Sequence, residues 1–118
     1  MIVLICGDRN YTDHIAIREY LQSLPQDTII ISGGCRGADS LAEQEARKLG
    51  MQTRIFTANW TKYGRAAGPI RNQQMLDKYN PDIVVAFSNN LSESKGTLDM
   101  VSRAAKAGVM CIVFGKEQ

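Results

Sequence analysis

Five short apolar runs, Ile2 to Cys6, Thr28 to Ser32, Gln52 to Phe56, Asp82 to Phe87 and Val109 to Phe114, alternate along this chain with stretches of helical apolar spacing. A strand-helix-strand order repeated to the end predicts a parallel sheet covered by helices on both faces. The length of 118 residues and an apolar content of 44% suit one normal core without disulfide or metal support. The expectation is an α/β fold: one domain over residues 1–118, a three-layer sandwich on a five-stranded parallel sheet.

The helical stretches carry recognisable ends. Asp13 is placed to cap the first, whose apolar positions Ile17, Leu21 and Leu24 precede a stop at Pro25. In the second, Ala38, Leu41, Ala42, Ala46 and Leu49 share one face and Gly50 closes it. In the last, Leu98, Val101, Ala104 and Ala105 share a face before Gly108. One long irregular stretch, Thr57 to Gly68, separates the third strand from a helix starting near Pro69, and loops of this length inside compact domains are usually functional or mobile.

Ligands of open parallel sheets bind beyond the carboxyl ends of the strands, so the segments following each strand carry the candidate site. After the second strand, Ser32-Gly33-Gly34-Cys35-Arg36-Gly37-Ala38-Asp39 supplies glycines for a tight turn into a helix N-terminus, a geometry that favours an anion. After the fourth, Ser94-Lys95-Gly96-Thr97 opens a helix with backbone amides and hydroxyls, a second cradle facing the first; a plain helix cap at Thr97 is the alternative. Gly68-Pro69-Ile70-Arg71-Asn72 puts a permanently charged fork and an amide at the same edge. Trp60 and Tyr63, interleaved with Lys62 and Arg65, are placed to stack on a base, while core packing is the alternative. Gly7, Asp8 and Arg9 follow the first strand.

Several chemistries are excluded. The glycine turn is not GxGxxG, Lys95-Gly96-Thr97 is not GxxxxGK[ST], and the single histidine, His14, allows neither a metal cluster nor a Ser-His-Asp arrangement. No cofactor and no metal are expected. The net charge of +2, with both signs mixed, supplies no basic stripe of the kind nucleic acids require, and no run is long enough to span a membrane. A single-strand binding groove would rest on Lys62, Arg65 and Trp60 alone. Cys6, Cys35 and Cys111 include no CxxC pair, and no basic leader precedes the first apolar run; both point to reduced thiols in a cytoplasmic protein.

At these residues the chain resembles the SLOG superfamily, the Rossmann-like group that includes the cytokinin-activating phosphoribohydrolases and the DNA-processing protein DprA, and it looks like the small YspA-like branch. The likeness runs through Gly7-x-Arg9 with Asp13, the Ser32 to Asp39 segment, Trp60-x-x-Tyr63-Gly64, Ala67-Gly68-x-x-Arg71-Asn72 with Met75, and Ser94-x-Gly96-Thr97 with Asp99-Met100. It implies a nucleotide-derived ligand held by the glycine loops, and a dimer or larger homo-oligomer.

The ligand set implied is Gly7, Asp8, Arg9, Ser32, Gly33, Gly34, Arg36, Gly37, Asp39, Trp60, Tyr63, Arg71, Asn72, Ser94, Gly96 and Thr97. In the phosphoribohydrolases a glutamate stands where this chain has Met100, and a lysine where it has Asn72. Asp99 lies one residue early, about 100° round the helix from that direction. The resemblance therefore implies two functions. One is a sensor or sequestering module for a nucleotide-derived molecule. The other is an N-glycosidic hydrolase in which Arg71 orients the phosphoribosyl group and Asp39 or Asp99 supplies the carboxylate. A carboxylate at Asp8 suits a sugar hydroxyl rather than a phosphate.

Overall fold

The computed structural model describes residues 1–115. Its strands are β1 (Ile2–Gly7), β2 (Ile29–Ser32), β3 (Gln52–Ile55), β4 (Ile83–Phe87) and β5 (Met110–Phe114). Its helices are α1 (His14–Gln22), α2 (Ala38–Lys48), the single turn α3 (Trp60–Tyr63), α4 (Ala67–Tyr79) and α5 (Lys95–Lys106). All strand pairs are parallel and the order is β3-β2-β1-β4-β5, as expected for a Rossmann-like sheet.

Strand periodicity divides the core in two. Val3 and Ile5 of β1, with Ile30, Val85 and Phe87, pack against Ile17 and Leu21 of α1 and Ala38, Ala42 and Ala46 of α2. Leu4, Ile31 and Val84 point the other way, against Met75 and Leu76 of α4 and Met100 and Ala104 of α5. Each fully buried Leu, Ile or Phe contributes about 1.5–3 kcal/mol, so these two layers hold the sandwich together. Small residues on α2 let it lie close to the sheet, and the Arg18–Glu45 ion pair, Nε to Oε1 at 2.6 Å, ties α1 to α2.

The helix ends follow the sequence in most places. Asp13 caps α1 by accepting from the Ala16 amide at 3.0 Å, and Gly50 follows α2 with a φ of +74°. Two expectations are corrected. The stretch from Thr57 to Gly68 is not irregular: it contains α3, a 3₁₀ turn at Gly64–Ala66, and the beginning of α4 at Ala67, ahead of Pro69. Asn59 starts α3 by accepting from the Lys62 amide at 3.0 Å, a local cap that apolar periodicity does not register. On α5 the buried face is Thr97, Met100 and Ala104, whereas Leu98 and Ala105 are exposed. The helix rotates to bury Met100 against α4 and the sheet, and that leaves Leu98 in solvent.

Candidate functional site

Strand order reverses at β1, whose neighbours β2 and β4 run on through crossovers to opposite edges, and a cleft of about 870 Å³ opens beyond the carboxyl ends there. On one wall is the start of α5. Ser94 is its N-cap residue, but the Ser94 hydroxyl donates to Thr97 Oγ1 at 2.9 Å instead of accepting from a helix amide. The first-turn amides are therefore left without a side-chain cap, and a Cβ built on Gly96 meets no atom within 4 Å. Thr97 itself is buried, and Gly96 borders the cleft.

The other wall is the glycine turn after β2. Two of its amides converge, and the anion they meet is one of the chain's own rather than a ligand's: Gly33 N and Cys35 N donate to Asp39 Oδ2 at 3.1 and 3.2 Å. Asp39 sits in the first turn of α2, where a carboxylate is favoured by the helix dipole. Burial pushes its pKa up to about 6, against the lowering effect of the two amides, Arg71 and Arg9.

Arg71 bridges the walls. It is 8% exposed, and it donates from Nη1 to Gly33 O at 2.8 Å and from Nε to Asn72 Oδ1 at 3.1 Å. Among the described residues its Nη2 meets the Cys35 thiol alone, at 3.9 Å, and so retains donor capacity at the cleft. Asn72 continues the chain, donating from Nδ2 to Gly96 O at 3.2 Å and to Asp99 Oδ2 at 3.0 Å. Arg103 holds the same carboxylate oxygen at 2.8 Å, and Gln73 accepts from Arg103 at 3.2 Å. Asp99, a candidate carboxylate, thus borders the cleft, while Met100, at the position the resemblance gives to a glutamate, lies in the core.

Asp8 is held at the cleft by the hydroxyl of Ser88 at 2.7 Å and the amide of Asn89 at 2.9 Å. Gly7 beside it packs so closely on the Phe87 carbonyl and Ala38 that a side chain has no room. Arg9, Arg36 and Trp60 are exposed on the rim. Four expected residues lie elsewhere. Tyr63 is outside the lining, its ring covered by the Lys62 ammonium at 5.0 Å. Ser32 is buried beneath the turn. Gly37 packs against the backbone of Asp8 and Arg9, and Gly34 borders an adjoining hollow.

Sequence reasoning missed the supporting residues Ser88, Gln73 and Arg103. Arg103 carried one readable signal, its position four residues after Asp99 on a helix. Burial also keeps the Cys6 thiol protonated, well above its usual range. Among the described residues, no helix is long and apolar enough to cross a membrane.

The model of the YspA, cpYpsA-related SLOG family matches residues 1–63. The Gene 61 protein of Mycobacterium phage D29 is 34% identical over 122 residues, spanning 96% of this chain and 95% of the phage protein. The X-ray structure of DNA processing protein A (DprA) from Streptococcus pneumoniae shares the fold, with a TM-score of 0.80 at 18% identity over 98% of this chain. The chain spans only 50% of the DprA chain, and the likeness is one of architecture. The match over more than half the residues and the phage relative together make this chain a member of the YspA, cpYpsA-related SLOG family.

Proposed function

We propose that the protein binds a nucleotide-derived small molecule in the cleft between the start of α5 and the glycine turn, acting as a sensor or sequestering module. SLOG membership supports a nucleotide-related role in general. The observation that carries the reading is the uncapped, sterically open first turn of α5 beside Gly96, facing the Arg71 guanidinium across the cleft. Free helix amides and a guanidinium donor suit a phosphate. Neutral hydroxyls and ring edges suit the Asn10, Asn90 and Asp8 side chains that border the same space.

Calorimetry with AMP, ADP-ribose, NAD and cyclic nucleotides tests this, together with Gly96→Asp. That substitution has space for its side chain and favours the helix dipole, so folding is retained while an anion is repelled. Saturable binding by wild type, weakened at least tenfold in the variant, is the expected result. Absence of binding across the panel overturns the reading.

One observation favours a second reading, N-glycosidic hydrolysis: the Asp99 carboxylate borders the cleft, fixed by Asn72 and Arg103. Water would add its hydroxyl to the anomeric carbon and its proton to the departing base. Asp99 or Asp39 would activate that water or stabilise the developing positive charge, with Arg71 orienting the phosphoribosyl group. Chromatography for free base and ribose phosphate decides it: release abolished by Asp99→Asn supports hydrolysis, and no release from a nucleotide that binds excludes it.

A further inference from the structure

The cleft has two lobes with different chemistry. The six residues Arg9, Gly33, Cys35, Arg36, Trp60 and Arg71 form a waist that borders both the main cleft and a second hollow of about 740 Å³. Gly34, Thr57 and Ala58, near the end of β3, complete the outer lobe. Each lobe alone has the volume of a small-molecule pocket. The sheet edge beneath them runs from β4 through β1 and β2 to β3, three strand spacings or about 14 Å.

The inner lobe holds the carboxylates Asp8, Asp39, Glu93 and Asp99 together with the cations Arg65 and Lys95, Lys95 opening α5, whereas the outer lobe and waist carry Arg9, Arg36 and Arg71 with no carboxylate in the outer lining. Trp60, 51% exposed, offers a ring to both. Carboxylates accept from sugar hydroxyls and repel phosphates, guanidinium forks match phosphate oxygens, and an exposed indole stacks on any base. A single nucleoside monophosphate with its phosphate at the start of α5 and Arg71 would leave Arg9, Arg36 and the outer lobe unused.

We propose that the ligand is a linear dinucleotide bearing a 5′-phosphate. Its first phosphate lies at the start of α5 and Arg71, its first nucleoside in the inner lobe, its linking phosphate at Arg9 and Arg36 of the waist, and its second base against Trp60 in the outer lobe. The proposal rests on the nucleotide reading above and specifies the class of molecule that site takes.

Calorimetry and the fluorescence of Trp60, the single tryptophan, separate the two ideas. The probes are AMP, adenosine 3′,5′-bisphosphate (a second phosphate without a second base) and 5′-phosphorylated diadenylate. Affinity is expected to rise about tenfold at each step, with quenching of Trp60 greatest for the dinucleotide. Trp60→Ala, and Ala58→Trp filling the outer lobe, should bring the dinucleotide-to-bisphosphate affinity ratio to about one, while Trp60→Phe preserves it. Equal affinities for the bisphosphate and the dinucleotide in wild type overturn the proposal and leave the nucleotide reading intact, as does a ratio that survives both substitutions. Affinity that keeps rising for three- and four-nucleotide strands also overturns it, by revealing an open single-strand track. Failure of all three probes to bind overturns the proposal, and it removes the nucleotide reading as well when ADP-ribose, NAD and cyclic nucleotides also fail.

Discussion

The Arg71 guanidinium donates to the carbonyl oxygen of Gly33 at 2.8 Å, joining α4 to the glycine turn across 38 positions of sequence. The pair explains why position 33 is a glycine: a Cβ there would occupy the space of the guanidinium. The same arginine, through Asn72, reaches the start of α5, so the two walls of the cleft are one hydrogen-bonded unit.

Gly33→Ala should therefore displace Arg71 and disturb its buried bonds. Charged hydrogen bonds of this kind are worth about 1.5–3 kcal/mol, so a loss on the order of 2 kcal/mol is expected in urea unfolding. Arg71→Ala in the same background removes the clash, and the two effects should add to less than their sum. Full additivity would mean that the two residues do not share this contact.

Gly37→Ala is expected to be the more damaging change in the turn. Gly37 has a φ of +80°, and its Cβ would run into the backbone of Asp8 and Arg9, where the Asp8 carbonyl also accepts from Ala38 N at 3.1 Å. Strain and a main-chain clash together should remove at least about 3 kcal/mol, seen as a large drop in melting temperature. A variant melting like wild type would contradict this packing.

Asn72→Leu should loosen one wall selectively. Asn72 accepts from Arg71 and donates to Gly96 O and Asp99, leaving Arg103 as the remaining support of that carboxylate when it is replaced. A cost of about 1–3 kcal/mol is expected from unpaired buried groups. Hydrogen exchange should accelerate at the start of α5 more than in α2, and equal acceleration in both would refute a local clamp.

Asp39 makes the protein less stable as pH rises. Burial raises its pKa from 3.8 to about 6, so between those values the folded chain holds a proton that the unfolded chain has released. This contribution favours folding below about pH 4, declines through pH 6 and is flat above; its size is on the order of 3 kcal/mol. Asp39→Asn keeps an oxygen for the Gly33 and Cys35 amides and removes the titration. Relative to wild type it should gain stability between pH 4 and 6, measured by urea midpoints, and an unchanged difference across that range would show that Asp39 does not titrate there.

What could be read along the chain was whatever rests on neighbours in sequence. Branched apolar runs such as Ile29–Ile30–Ile31 specify strands buried on both faces, Asp13 specifies a helix start, and the glycines around Cys35 specify a tight turn, because each depends on backbone sterics and spacing within a few residues. The phase of α5, with Met100 inward and Asp99 at the cleft, was decided by packing on α4 and the sheet. The joining of the two cleft walls was likewise decided in three dimensions: Arg71 reaches the Gly33 carbonyl, and Asn72 reaches the Gly96 carbonyl and Asp99, only after α4 has docked beside β2 and α5. Short-range sterics are written in local sequence, whereas the pairing of buried charges follows from which surfaces the fold brings out of water together.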